Sequence, residues 1–164
     1  NRSKAQAQTV VRTATNQVGS LARAETYRAN ADVLQGEEYV ATLDMRTTIT
    51  CAGFDSKIYP IASGPVPPLH YNCRSVRVPV VDPAFSALRE GATRASTFGP
   101  VSAQTTYGGF LKAQGKEFQD EVLGIERAKL FRSGEVAIDR FTDDAGRIYT
   151  LPELIAREGL SIKP

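Results

Sequence analysis

Between residues 3 and 33 the apolar side chains Val10, Ala14, Val18, Leu21 and Ala22 recur at helical spacing, which predicts one long amphipathic helix. Tyr27 extends that apolar surface, and the segment holds no proline and a single glycine, Gly19. Asn30 and Asp32 weaken the helix, and Gly36 is expected to end it. Arg12, Asn16 and Arg23 fall among the polar positions, where they are placed to reach a partner. A lone helix of this length is marginal in water, so it is expected to pack on its own fold or on a partner.

The period then changes. Residues 38–44 alternate Tyr39, Ala41 and Leu43 on one side, a strand pattern. Residues 46–54 are rich in β-branched side chains and read as a loop that pairs only in part. Lys57–Ile61 reads as a short strand, and residues 63–68, with three prolines, as a loop. In 73–81, Val76, Val78 and Val80 share one face and Arg77 takes the other, while Pro79 marks an edge strand or the end of pairing. The short connections require antiparallel pairing. Residues 82–104 carry few signals beyond a short helix at 84–90 and read as a long loop. The last third is helical. Segments at 106–114, 116–123 and 125–132 are bounded by Gly115, Gly124 and Gly134. An extended piece at 135–141, a turn at 143–146, and a capping box from Thr150 to Glu153 opening a helix complete it. The expected fold is α+β: a helical arm (1–35), a small, mainly antiparallel sheet core with a Cys/His loop (36–82), a connecting loop (83–104) and a C-terminal helical region (105–164).

Composition narrows the classes. The 164 residues, with 41% hydrophobic and 23% charged side chains, suit a folded domain and argue against disorder. No apolar run approaches a membrane span, so no membrane partner is expected. A net charge of +2 argues against general nucleic-acid binding. The charge is uneven: residues 1–28 carry five basic side chains and one acidic, whereas 83–164 hold eleven of each sign. The sole methionine is Met45, which suggests a piece of a longer protein.

Both cysteines and the only histidine lie within Cys51–Cys73. Cys51, His70 and Cys73 are candidate zinc ligands, with Asp55 as a possible fourth. A Cys51–Cys73 disulfide, plain burial of two small hydrophobes, and a Cys73 nucleophile with His70 as base are the competing readings. Asp44 is expected to pair with Arg74, and Arg46 with Asp55, as braces between strand and loop. Asp120-Glu121 and Asp143-Asp144 lack the partners that acid–base chemistry needs. No phosphate loop, dinucleotide fingerprint or nucleophile elbow occurs. The expectation is no enzyme and no committed cofactor.

Three stretches resemble one family. Leu43-Asp-Met-Arg-Thr-Thr-Ile-Thr-Cys51, Asp55-Ser-Lys-Ile-Tyr59 and Pro67-Pro-Leu-His70-Tyr-Asn-Cys-Arg-Ser75 resemble the core motif of the phage Mu F-like minor head proteins. Arg12–Arg23 resembles the helix that precedes the motif in that family, and Tyr107–Gln114, Phe118–Leu123 and Ala128–Gly134 resemble its later helices. This chain departs at Thr48, where many members have a first cysteine, at Ser56, where glycine is usual, and at Phe110, where tryptophan is common. The resemblance implies a structural minor capsid protein in the head of a tailed phage, associated with the portal and acting in head assembly, DNA packaging or ejection. Asp44, Arg46, Cys51, Asp55, His70, Cys73 and Arg74 would be its structural motif. Its expected partners are the portal protein, with the major capsid protein and packaged DNA beyond it.

Overall fold

Helix α1 (Arg2–Ala29) runs unbroken because proline is absent and its one interior glycine, Gly19, costs it only about 1 kcal/mol. The structure is a computed structural model that describes residues 2–160. The ends of the two outer predicted segments, Asn1 and residues 161–164, lie outside the described residues. The chain divides into two compact units, Asn1–Thr42 with Ser56–Ala92, and Leu43–Asp55 with Thr93–Pro164.

The first unit sets α1 against a three-stranded antiparallel sheet of order β2-β1-β3. A 3₁₀ turn at Ala31–Val33 leads into β1 (Leu34–Val40), which pairs with β2 (Ile58–Tyr59) and β3 (Val76–Val81). Strand β1 starts four residues before its predicted place, and Gly36 lies inside it instead of ending the helix. A Cβ at Gly36 would come 2.6 Å from the Tyr59 carbonyl oxygen, so the close approach of β2 requires glycine. Pro79 sits on β3, an edge strand, as its missing N–H demands.

Two faces are the reverse of the simplest hydrophobic reading. Arg77, not the valine face of β3, is the buried side, with 3% of its surface exposed. On α1 the stripe that meets the fold is Thr9, Thr13, Asn16, Ser20 and Tyr27, while Val10, Val18 and Leu21 are exposed. Thr13 and Asn16 bond to loop backbone at Asn72 and Cys73, groups that β3 does not serve.

The second unit is mostly helical. Helix α2 (Ile49–Phe54) replaces the predicted half-paired loop at 46–54. Thr48 caps it by accepting from the Cys51 N–H, and burial of Cys51, Ala52, Gly53 and Phe54 overrides the β-branched composition. The predicted loop at 83–104 is partly ordered: a 3₁₀ segment at Pro83–Arg89 ends the first unit, and β4 (Thr93–Ser96) and β5 (Gly99–Ser102) form a hairpin. Its turn closes as the Ser96 hydroxyl donates to the Gly99 carbonyl (2.7 Å), with Gly99 at φ +107°. Helices α3 (Tyr107–Lys112), α4 (Lys116–Leu123) and α5 (Ile125–Ser133) follow as predicted, and Gly134 ends α5 in the left-handed region. The 135–141 stretch is not extended but carries a 3₁₀ turn at Ile138–Arg140. Helix α6 (Leu151–Glu158) opens on the predicted capping box. Phe54, Tyr107, Leu111, Leu123, Phe141 and Leu154 are among the second unit's fully buried side chains.

Candidate functional site

The motif is built as two braces, one in each unit. In the second unit, Asp44 folds the chain back on itself. Its carboxylate accepts from the backbone N–H groups of Arg46 (2.9 Å) and Thr47 (3.1 Å), an Asx-type turn. The Tyr107 hydroxyl donates to the Asp44 carbonyl (2.8 Å). Eleven residues on, Asp55 has a side chain only 1% exposed, and Arg94 beside it only 7%. The guanidinium donates to both carboxylate oxygens, at 2.6 and 3.1 Å, and to the Thr105 carbonyl at 2.7 Å. The Tyr107 N–H, which has no partner within α3 because it lies in the helix's first turn, donates to the same carboxylate at 2.6 Å. Asp55 therefore joins the end of α2 to the hairpin and to α3. The cation on Asp55 is Arg94, not Arg46 as expected, because Arg46 points into solvent.

In the first unit the stretch Pro67–Arg74 is held to α1. Pro67-Pro68 is a cis peptide, and Asn72 takes φ +57°, a conformation asparagine tolerates. The Asn72 N–H donates to Thr13 Oγ1 (3.0 Å), and its amide to Thr9 Oγ1 (3.2 Å). Asn16 donates to the carbonyls of Cys73 (2.8 Å) and Ser75 (3.3 Å). Three side chains on successive turns of α1 thus clamp residues 72–75. The Cys73 N–H donates to the His70 carbonyl, and His70 Nδ1 donates to the Tyr71 carbonyl (2.9 Å).

A second buried ion pair lies under β1 and β3. Arg77 faces Glu37, with Nε 3.6 Å from a carboxylate oxygen, and donates to the carbonyls of Ser63 (2.9 Å) and Pro65 (3.0 Å). Its guanidinium lies 4.8 Å from the centre of the Tyr59 ring. Glu37 accepts from the Ala62 N–H, so the pair pins the 59–66 loop onto the sheet. Burial lowers the Arg77 pKa from its usual value, with Glu37 acting in the opposite direction. Burial likewise raises the Tyr27 pKa, and its hydroxyl donates to the Arg77 carbonyl.

Of the residues predicted from sequence, Asp44 and Asp55 are braces, and Cys51 is buried on α2. Cys73 is buried at the loop clamp, beside exposed Arg74. Both cysteines are thiols. Arg12 is exposed on α1, Arg23 is half-buried and donates to Ser20, and Asn16 uses its amide within the fold. Sequence reasoning missed Arg94, Tyr107 and Glu37 as brace residues, and placed Arg77 without its role. Their only signal is charge or hydroxyl at positions that alternate inward, which no local rule singles out. The acidic pairs also serve structure: Asp120 meets Arg132 at 2.7 Å, and Asp143 accepts from the N–H groups of Ala145 and Arg147. Ser56 keeps the turn that glycine usually makes, at φ +66°, with its N–H bonded to the Tyr39 carbonyl. Phe110 packs among Phe98, Tyr107 and Phe118. These groups hold backbone, loops and helix ends in place.

Residues 1–78 match the family described as Phage Mu protein F like protein. No curated protein and no solved structure matches the chain. Among the described residues no helix is long and apolar enough to cross a membrane.

Proposed function

We propose, from the match of residues 1–78 to the family described as Phage Mu protein F like protein, that the chain is a non-enzymatic minor component of the phage head, seated inside it at the portal vertex. There it assists head assembly, DNA packaging or ejection. One observation carries this reading: the polar residues of the motif are used as internal braces. Asp55 is buried under Arg94 and the Tyr107 N–H, and the 72–75 loop is tied to α1. A group so engaged supports a rigid shape to be docked, not a proton to be exchanged. The portal protein is the proposed partner, with the major capsid protein and packaged DNA as further neighbours. The test is co-purification with assembled portal rings at moderate salt. Retention on the rings supports the reading. A stably folded chain that binds neither portal nor DNA overturns it.

A second reading, metal binding, is favoured by the orientation of one ring. The His70 ring is oriented by its Nδ1 bond to the Tyr71 carbonyl, and the Cys73 N–H donates to the His70 carbonyl, so one loop turn carries an imidazole and a thiol. His70 and Cys73, on one loop of the first unit, are donor types that zinc takes. Elemental analysis of the purified chain decides it. Stoichiometric zinc that is lost in His70→Ala supports metal binding, and its absence leaves a purely structural loop.

A further inference from the structure

Helix α1 has two stripes on opposite sides. Thr9, Thr13, Asn16, Ser20 and Tyr27 face the sheet and its loop. About 180° around the helix, Ala7, Val11, Ala14, Val18 and Leu21 recur at alternating spacings of four and three. That stripe is in solvent: Val11 is 62% exposed, Val18 66%, Leu21 57%, and neighbouring Val10 63%. A 3.5-residue apolar repeat is the pattern of a helix that packs along another helix.

We propose that this stripe pairs antiparallel with the same stripe of a second copy of the chain. Volume and charge both select that occupant. In the antiparallel register that places Ala7 against Val18 of the second copy, Val11 meets Ala14 of the second copy, and the symmetry repeats both layers. Each central layer then joins one small and one larger side chain, which fills the seam without voids. Leu21 covers the aliphatic stem of Lys4 from the second copy. A parallel pair would instead set alanine against alanine and Lys4 against Lys4.

The positions that flank the stripe are Gln8, Thr15 and Ala22 on one side, and Val10, Gln17 and Ala24 on the other. None carries charge, so self-pairing meets no repulsion there, and the flanks offer nothing to attract an acidic partner or DNA phosphate. The basic Arg12 and Arg23 lie off the stripe, where charges more than about 8 Å apart are largely screened at physiological salt. The exposed seam offers on the order of 400 Å² per copy, half of the ~800 Å² per partner in a standard stable interface. An interface of that size belongs to the weak, reversible class. This inference goes beyond the head role and does not depend on it.

Sedimentation equilibrium of the 164-residue chain from about 1 to 500 μM tests it. The expected result is a monomer–dimer equilibrium that persists in 1 M salt, with the dissociation constant raised at least about tenfold by Val18→Glu and unchanged by Arg12→Glu. Both positions are exposed, and far-UV circular dichroism verifies that each variant folds. Leu21→Gln provides a second, uncharged disruption. A mixture of Val11→Cys and Ala14→Cys chains is expected to form the mixed disulfide as the dominant cross-link. A chain that is monomeric throughout, a dimer that survives Val18→Glu, or one that dissolves in 1 M salt overturns the proposal. A monomer that still binds portal rings would overturn the dimer and leave the head role standing.

Discussion

Asp55→Ala is the most informative single change. Asp55 pairs with Arg94, whose side chain is 7% exposed, and it also accepts the Tyr107 N–H. Removing the carboxylate strands a buried guanidinium, which costs about 3–5 kcal/mol when one member of a buried pair is lost. It also orphans an N–H at the start of α3, worth about 1–3 kcal/mol. The two costs overlap because both groups relax into one cavity, so ~4–6 kcal/mol is expected. Folded domains have about 5–15 kcal/mol in total, so the second unit would be left near the edge of stability. At roughly 4–8 °C per kcal/mol, its melting temperature should fall by about 20 °C or more. Urea unfolding followed by circular dichroism measures the loss, and amide exchange at Leu111 and Leu123 assigns it to the second unit. The paired change Asp55→Leu with Arg94→Met should recover most of it, because an apolar pair carries no stranded charge. Arg46→Ala, at the exposed residue that sequence alone pairs with Asp55, should shift stability by under about 0.5 kcal/mol. A loss below about 1 kcal/mol in Asp55→Ala, or an equal loss in Arg46→Ala, would refute the brace.

Three further outcomes follow from the same geometry. Asn16→Ala removes two bonds to the 72–75 loop and should cost about 1–2 kcal/mol in the first unit, whereas Arg12→Ala should leave it unchanged; thermal melts compare them. Gly36→Ala drives a methyl to within 2.6 Å of the Tyr59 carbonyl and should cost about 1–3 kcal/mol, read as faster amide exchange on β1 and β2. The Arg147 N–H lowers the Asp143 pKa, and the Thr150 N–H lowers that of Glu153, each aided by the Arg147 side chain. Carboxylates held below their unfolded values add stability that is present above the unfolded pKa and lost as pH falls through the folded one. Melting temperature should therefore drop between about pH 5 and pH 3, more steeply in the native chain than in Arg147→Ala; parallel titration curves would contradict this.

Much of the architecture was legible locally. The length of α1, the glycine-bounded helices α4 and α5, the capping box at Thr150–Glu153 and the edge position of Pro79 all depend on backbone rules that act within a few residues. The specific motif from Asp44 to Arg74 was legible too, and the family match over residues 1–78 rests on the segment that holds it. Helix α2 was not, because the Thr48 cap and burial of Cys51–Phe54 outweigh β-branched composition. The hairpin at 93–102 was hidden because its register is held by Ser96 and Gly99 across the turn.

By itself, then, the sequence determined which segments are helix, strand and turn in most of the chain, and which rare residues cluster in one motif. Only the tertiary structure decided which faces turn inward. Periodicity reports that two faces differ, but a face is buried by whatever satisfies the groups opposite it. The 72–75 loop needed donors and acceptors, so the polar side of α1 turned inward. Glu37 and the 63–65 carbonyls needed a cation, so Arg77 went in and the valine face of β3 did not. Hydrogen-bond partners distant in sequence made those choices, and the apolar stripe of α1 was left outward.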